Sequence, residues 1–132
     1  MIIIMSERSI PMGAATISKE NYLKNILLIS REKGCVRASE IAALMKVTRP
    51  SVSHAVHQLE RDNYIHIDYE KNILLTPTGL KVATSVLERY ETFYKLLLSL
   101  GVPKDIASQD AGRIEHAVSD DSFMVLKTIM IE

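Results

Sequence analysis

The sequence lacks the features that several large classes of protein require. It has a single cysteine, Cys35, so an internal disulfide and a zinc site built from cysteines are excluded. No apolar run approaches the roughly 20 residues of a transmembrane helix, and the apolar start, residues 1–5, is too short and not basic enough for a signal peptide. No glycine-rich phosphate loop or nucleophile motif supports catalysis. We therefore expect a cytoplasmic protein that is not an enzyme and has no membrane partner.

The composition is that of a small globular protein whose charge is unevenly distributed. The 132 residues suffice for one compact domain, or for two small pieces that share a core. Lys plus Arg and Asp plus Glu number 16 each, so a strongly basic coat is absent. Residues 19–59 nevertheless contain seven basic and three acidic side chains, whereas residues 82–132 contain five basic and eight acidic ones. This asymmetry is compatible with chance, and it also fits one half that binds a polyanion and another that binds cations or self-associates.

Helix signals follow one another from Ser18 to about residue 62. The preceding residues, 1–17, show no sustained period and are predicted to form a flexible arm. Ser18 is a favoured N-cap for a first helix that ends at Gly34, and a short second helix is expected near Ser39–Met45, with Ser39 as its cap. Thr48 and the proline two residues later then open a third helix. The apolar residues predicted to be buried follow helical stripes: Tyr22, Leu23, Ile26, Leu27 and Ile29 in the first helix, and Val52, Ala55, Val56 and Leu59 in the third.

A β-hairpin and three further helices are predicted after the third helix. Apolar and polar residues partly alternate over residues 64–69, and residues 73–75 can return as a second strand. Thr76 as a cap and Pro77 open a long helix that ends near Gly101, and two more helices follow, the last one capped by Ser119. The fold class is therefore mainly α. It comprises a winged helix–turn–helix domain, residues 18–77, followed by a helical domain, residues 78–132.

The predicted elements follow an order that is typical of DNA-binding proteins: helix, short helix, tight turn, helix and hairpin. The alternative is a helical domain whose polar face is only solvated. An α-helix fits the major groove, and the outward face of the third helix is polar yet almost uncharged, as base contacts require. Lysine and arginine on neighbouring elements can neutralise phosphates. The residues predicted to contact DNA are Arg37, Thr48, Arg49, Pro50, Ser51, Ser53, His54 and His57, with Lys71 at the tip of the hairpin.

Four segments together resemble the DtxR/MntR family of metal-dependent bacterial and archaeal repressors. They are Gly34–Ala42 (GCVRASEIA), Val47–Ser53 (VTRPSVS), Leu75–Gly79 (LTPTG) and Asp110–His116 (DAGRIEH). The resemblance runs from about Ser18 to the end of the sequence. It implies a winged-helix domain followed by a helical metal-binding and dimerisation domain. Because the sequence ends before the SH3-like third domain of the larger members, it is similar to the short, manganese-sensor type.

The resemblance also implies a Mn²⁺ or Fe²⁺ site. This sequence keeps only some of the family's ligand residues. Glu115 and His116 match the carboxylate and imidazole ligands that end the fourth motif. Where relatives carry a ligating Cys or Glu this sequence has Gly112, and the histidine expected in the long helix is Tyr90. In the first helix, Asn21 and Lys24 replace acidic ligands, and the lysine would repel a cation. A weak site completed by water or backbone oxygens and a relic that binds no metal both stay open, as does a displaced site that uses Asp110, Asp120 or Asp121.

The last helix predicts self-association. Its apolar face is too large to be left in water at the end of a small domain, and such a face usually marks an interface. The residues of this predicted dimer interface are Phe123, Leu126, Ile129 and Met130. The sequence as a whole predicts a homodimeric transcriptional repressor that places residues 48–62 in the major groove of an operator. The alternatives are a metal-independent winged-helix regulator and a winged-helix protein-interaction module that does not bind DNA.

Overall fold

The computed structural model describes the backbone of residues 2–130 and the side chains of residues 18–129. The predicted N-terminal arm, residues 1–17, lies outside the residues whose side chains are described. The chain forms two compact units, the first ending at Thr84 and the second starting at Ser85. This division falls inside a helix, whereas the sequence predicts a domain boundary where that helix begins. Among the described residues, no helix is long and apolar enough to cross a membrane.

Six helices and one two-stranded sheet make up the described chain, in the order α1 Ile2–Lys33, α2 Ala38–Met45, α3 Arg49–Arg61, β1 Ile65–Ile67, β2 Ile73–Leu75, α4 Pro77–Ser99, α5 Lys104–Ala117 and α6 Asp120–Met130. This order confirms the predicted mainly α class. The expected helix start at Ser18 is wrong, because Ser18 is an interior residue of α1. Serine costs little inside a helix, so its capping preference does not by itself end one.

The first unit has a core made by α1, α2, α3 and the hairpin. The predicted apolar stripe of α1 is buried, with Leu23 and Ile26 fully inaccessible. Gly34 ends α1 with a positive φ of 82°, and its N–H donates to the carbonyl of Ser30 over 2.8 Å. The second helix begins one residue before the predicted Ser39, which is therefore not its cap; the N-cap position belongs to Arg37. The residues that complete this core are Val36, Ile41, Val52, Val56, Leu59, Ile65 and Ile73.

The hairpin closes the first unit and is tied to the start of α4. Its strands pair antiparallel with Ile65 opposite Leu75 and Ile67 opposite Ile73. Thr76 caps α4 as predicted, because its hydroxyl accepts from the N–H of Gly79 over 3.0 Å. At Gly79 the helix passes directly against the carbonyl of Tyr64: an ideal Cβ built there would lie 1.9 Å from that oxygen. The absence of a side chain at Gly79 is thus a condition for this packing.

The second unit has a small core where α4, α5 and α6 meet. Phe93 and Phe123 are buried with ring centroids 5.9 Å apart, and Ala111 packs with them. The Arg89 side chain, only 12% exposed, crosses this core. Its guanidinium donates to the carbonyls of Glu115 and Val118 and to the Asp120 carboxylate, and it lies 5.3 Å from the Phe123 ring. One arginine therefore joins the C-terminal end of α5 to the start of α6.

Candidate nucleic-acid interface and metal-ligand positions

The start of α3 is built by a threonine cap and a proline. Thr48 has extended backbone angles, and its hydroxyl oxygen accepts from the Ser51 N–H over 3.2 Å. Pro50 is the second residue of the helix, where a missing N–H costs nothing. The cap confirms the predicted helix start. It leaves Arg49, Pro50 and Ser51 exposed at the free N-terminal end of α3.

The exposed face of α3 lies opposite Val52, Val56 and Leu59, which are buried. Arg61, His54 and His57 lie around the centre of this exposed face, with Ser53 to one side. His54 also borders a cavity of about 270 Å³ that α1 helps to line. Arg61 was missed by the sequence analysis, although its spacing of four residues from His57 places it on the same helical face.

His57 is held in one orientation by its own helix. Its Nδ1 lies 2.7 Å from the backbone carbonyl oxygen of Ser53. A carbonyl can only accept a hydrogen bond, so in this contact Nδ1 carries the proton. Nε2 then faces solvent, as an acceptor when the imidazole is neutral and as a donor when it is protonated.

Exposed basic side chains lie in the loops on either side of α2. The Arg37 N–H donates to Glu40 Oε1 over 2.9 Å, and Lys33 Nζ donates to Glu40 Oε2 over 2.8 Å. These bonds, that from Lys33 first, lower the pKa of the Glu40 carboxyl. They anchor the backbone of Arg37 and leave its side chain exposed. In the turn before α3, Lys46 has a positive φ of 57° and is also exposed, a cation that the sequence analysis did not single out.

The hairpin tip is ordered by Asp68. Its Oδ1 accepts from the N–H groups of Glu70 over 2.9 Å and of Asn72 over 2.8 Å, and the bond from Asn72 chiefly lowers the pKa of the Asp68 carboxyl. Lys71, predicted to touch a flanking phosphate, is exposed with a φ of 72°. Beside it Tyr69 is 91% exposed, although tyrosine normally buries much of its ring. The tip therefore presents an aromatic ring next to a cation, and the sequence analysis missed the ring.

Replacing Tyr69 by alanine tests whether the hairpin tip contacts nucleic acid. If the ring lies against a DNA backbone or groove, Tyr69→Ala should weaken binding to a duplex by about five- to tenfold, equivalent to roughly 1 kcal/mol. Because the ring contacts little in the free protein, the melting temperature should not change. The measurement is fluorescence anisotropy with Leu74→Ala, an exposed hairpin residue away from the tip, as the control. Equal affinities of wild type and Tyr69→Ala would show that the tip stays in solvent.

The second unit contains the two retained metal-ligand positions. The Glu115 side chain is fully buried and that of His116 is 7% exposed, with His116 Nε2 3.3 Å from Glu115 Oε2. The hydroxyl of Tyr90, at the position of the expected histidine ligand, is hydrogen bonded to Ser108 Oγ over 2.9 Å. Glu115 and His116 thus lie side by side in the second unit, and their role as metal ligands stays a prediction.

The donor set among the described residues does not fit a divalent metal. Glu115 and His116 supply two ligand groups, and Gly112 supplies none. Within residues 18–129 no three His, Cys, Asp or Glu side chains form a group that could hold a metal ion. The possible displaced site gains no support, because Asp120 is paired with Arg89 and Asp110 lies 3.2 Å from Arg113. Two protein ligands do not make a Mn²⁺ or Fe²⁺ site, which is typically six-coordinate.

The predicted interface on α6 is only partly exposed. Phe123 points into the core of the second unit, because its ring fills the space beside Phe93. Leu126 is 37% and Ile129 is 70% exposed, and the 63% exposed Val125 lies on the same side of the helix. The Met130 side chain is outside the described residues. We call Val125, Leu126 and Ile129 the α6 apolar face.

Both units of the chain contain segments that match domain models of a known protein family. Residues 15–73 match the model of the iron dependent repressor N-terminal DNA binding domain, and residues 76–130 match its metal binding and dimerisation domain. The chain is 33% identical over 104 residues to the HTH-type transcriptional regulator MntR of Geobacillus kaustophilus, covering 79% of this chain and 74% of that protein. It is 32% identical over 107 residues to MntR of Bacillus subtilis, covering 81% and 75%.

Solved structures with the same fold include metal-dependent regulators. The manganese regulator SloR superposes with a TM-score of 0.76 at 29% identity, over 85% of this chain and 53% of that one. T. acidophilum IdeR gives a TM-score of 0.73 at 24% identity and shows the shared fold. The chain spans about half the length of these solved proteins. With its capped α3, hairpin and helical second unit, this chain belongs to the DtxR/MntR family of DNA-binding transcriptional repressors.

Proposed function

We propose that the protein represses transcription as a homodimer that inserts α3 of each copy into the major groove of double-stranded operator DNA. The observation that carries the proposal is the Thr48-capped α3, whose outward face is exposed and which follows the exposed cation Lys46. Two such helices related by two-fold symmetry read half-sites about 34–36 Å apart, or a multiple of that spacing. The function requires no catalytic group, and it belongs in the cytoplasm, where operator DNA lies.

Contacts to phosphates and contacts to base edges are assigned to different residues of α3. Arg49 at the helix start is placed to meet phosphate, together with Thr48, Ser51 and the free N–H groups of the first turn. Ser53, His54 and His57 are placed to meet base edges. His57 Nε2 faces outward from α3 and can meet a base edge in either protonation state: the neutral ring accepts from adenine N6 or cytosine N4, and the protonated ring donates to an acceptor such as guanine N7 or O6.

Alanine variants of α3 separate these contacts. Arg49→Ala should weaken binding to operator and random duplex alike, and should reduce the slope of log affinity against log salt by about one. His54→Ala and His57→Ala should weaken operator binding by about 1–3 kcal/mol each and leave random DNA almost unaffected. Lys95→Ala, which removes an exposed cation from the second unit, serves as the control.

The measurement is anisotropy with a duplex selected by the protein from a random pool. Unchanged discrimination in both histidine variants would show that α3 presents another face to the bases. Absence of any salt-dependent binding by the wild type would instead favour the protein-interaction module.

Mn²⁺ and Fe²⁺ are the cofactors that fit the family's metal-binding domain and the manganese regulators among the relatives. In this chain Glu115 and His116 are the residues available to them. Two ligand groups are nevertheless too few for either ion. This disagreement between the family's metal dependence and the residues of this chain bears on how the repressor is regulated.

A further inference from the structure

We propose that operator binding by this protein does not depend on a divalent metal ion, because the ligand positions of the second unit carry only two groups, those of Glu115 and His116, that can bind one. This inference rests on the proposed function and concerns its regulation. It makes the protein a constitutive DNA binder with respect to Mn²⁺ and Fe²⁺, within a family of metal-dependent repressors.

The first support is one face of α5. Ser108, Gly112, Glu115 and His116 follow each other at spacings of four, three and one residues, so they share a side of the helix. At one end Ser108 is bonded to the Tyr90 hydroxyl over 2.9 Å. At the other end the Glu115 carboxylate and the His116 imidazole lie 3.3 Å apart. The Tyr90 hydroxyl, at the position of the expected histidine ligand, is therefore engaged by α5.

The second support is the clamp formed by Arg89. This residue immediately precedes Tyr90 on α4 and donates to two carbonyls at the end of α5, those of Glu115 and Val118. Its charge also pairs with Asp120 at the start of α6. A permanently charged guanidinium, largely buried, thus holds the segment that carries Glu115 and His116.

The third support is the stacking around Tyr90. Its ring lies parallel to that of Tyr94, with centroids 5.7 Å apart and planes inclined by 8°. Both rings pack on the core of Phe93, Ala111 and Phe123. A phenol in this setting is a hydrogen-bonded core residue, and neutral tyrosine is a poor substitute for imidazole as a Mn²⁺ or Fe²⁺ ligand.

The fourth support is the chemistry of two further ligand positions, those of Gly112 and Lys24. Gly112 has no side chain where the resemblance implies a Cys or Glu ligand. Lys24, where it implies an acidic ligand, is buried, with 8% of its surface exposed. A lysine side chain offers neither the oxygen nor the imidazole donors that suit Mn²⁺ and Fe²⁺. Of the positions considered, only Glu115 and His116 carry groups that can ligate.

The test measures DNA binding and metal binding separately on the intact protein. Anisotropy with the selected duplex should give the same affinity, within about twofold, in EDTA and in excess MnCl₂, whereas a metal-activated repressor typically gains about 5- to 150-fold. Calorimetric titration of the protein alone with MnCl₂ should show no saturable heat. Stoichiometric Mn²⁺ or Fe²⁺ uptake that disappears in His116→Ala, or operator binding only with metal, would overturn the proposal.

A variant designed to gain a metal site tests whether the missing ligand groups are what excludes the ion. The double variant Tyr90→His/Gly112→Glu adds two donors beside Glu115 and His116, and the added side chain at position 112 enters open space, since a Cβ there meets nothing within 4 Å. We expect this variant to bind one Mn²⁺ per chain. The matched control Tyr90→Phe/Gly112→Ala also breaks the bond to Ser108, but adds no donor, and should bind none. Failure of the folded double variant to take up Mn²⁺ would show that the lost donors are not what excludes the ion.

The two proposals fail differently in these experiments. If the wild type binds no duplex in either buffer and takes up no metal, the proposed operator binding is wrong and the second unit is still metal-free. If it binds duplex only with Mn²⁺, the proposed function holds and metal independence is wrong. The calorimetric result decides the metal question in both cases.

Discussion

Leu126→Asp should convert the protein to a monomer that binds its operator about 10²–10⁴-fold more weakly, because a monomer forfeits the gain that comes from linking two half-site contacts. The physical reason lies in the α6 apolar face. Val125, Leu126 and Ile129 expose large apolar side chains on one side of the last helix, and such surfaces in small proteins are usually covered by a partner. A carboxylate at the least exposed of the three positions would be buried at a symmetric interface without a counter-charge.

Met124→Asp is the matched control for this experiment. Met124 is also a large, 57% exposed apolar residue of α6, but helical geometry places it on nearly the opposite side from Leu126. We expect Met124→Asp to stay dimeric in sedimentation velocity and to keep its operator affinity. A dimeric Leu126→Asp variant, or a monomeric wild type at micromolar concentrations, would show that α6 is not the dimer interface.

Gly79→Ala should destabilise the first unit by about 1–3 kcal/mol or more, as an overpacked core does. The new methyl would lie 1.9 Å from the Tyr64 carbonyl oxygen and 2.9 Å from its carbon. Both are backbone atoms at the entrance to the hairpin, so either the start of α4 or the end of the α3–β1 connection has to move. In a domain of 60–100 residues, each 1 kcal/mol lowers the melting temperature by about 4–8 °C.

Gly112→Ala is the matched control for this prediction, because it makes the same chemical change in another helix. Alanine is favoured over glycine inside helices by about 1 kcal/mol, and a Cβ at Gly112 meets no atom within 4 Å. Thermal unfolding should therefore show a lower melting temperature for Gly79→Ala and an unchanged or higher one for Gly112→Ala. A raised melting temperature for both variants would mean that the Tyr64 carbonyl does not abut α4.

The helix starts that carry explicit local signals could be read from the sequence. Thr48 with Pro50 and Thr76 with Pro77 open α3 and α4 as predicted, because a hydroxyl cap and a first-turn proline act within a few residues of their own position. The buried stripe of α1 was predicted for a similar reason, since helical periodicity is a local property. The start of α1 was not, because a capping residue is also tolerated inside a helix.

The residues missed by sequence reasoning act over longer distances. Arg89 looks like an ordinary surface charge in the sequence, yet it joins α5 to α6 through residues 26 to 31 positions away. Phe123 fits the apolar stripe of α6 as well as Leu126 does, and only the presence of Phe93 shows that it faces the core. Tyr69 was missed because exposure of an aromatic ring cannot be read from its neighbours in sequence.

The sequence by itself determined the class of molecule: the order of elements, the caps of α3 and α4, the polar face of α3, and the loss of metal donors at Gly112 and Tyr90. These follow from short-range periodicity, from capping chemistry and from residue identity at motif positions. The tertiary structure decided what those residues contact. It set Tyr90 against Ser108, and it placed the Tyr64 carbonyl against Gly79. Such pairings join residues far apart in the chain, and their geometry exists only once the helices have packed.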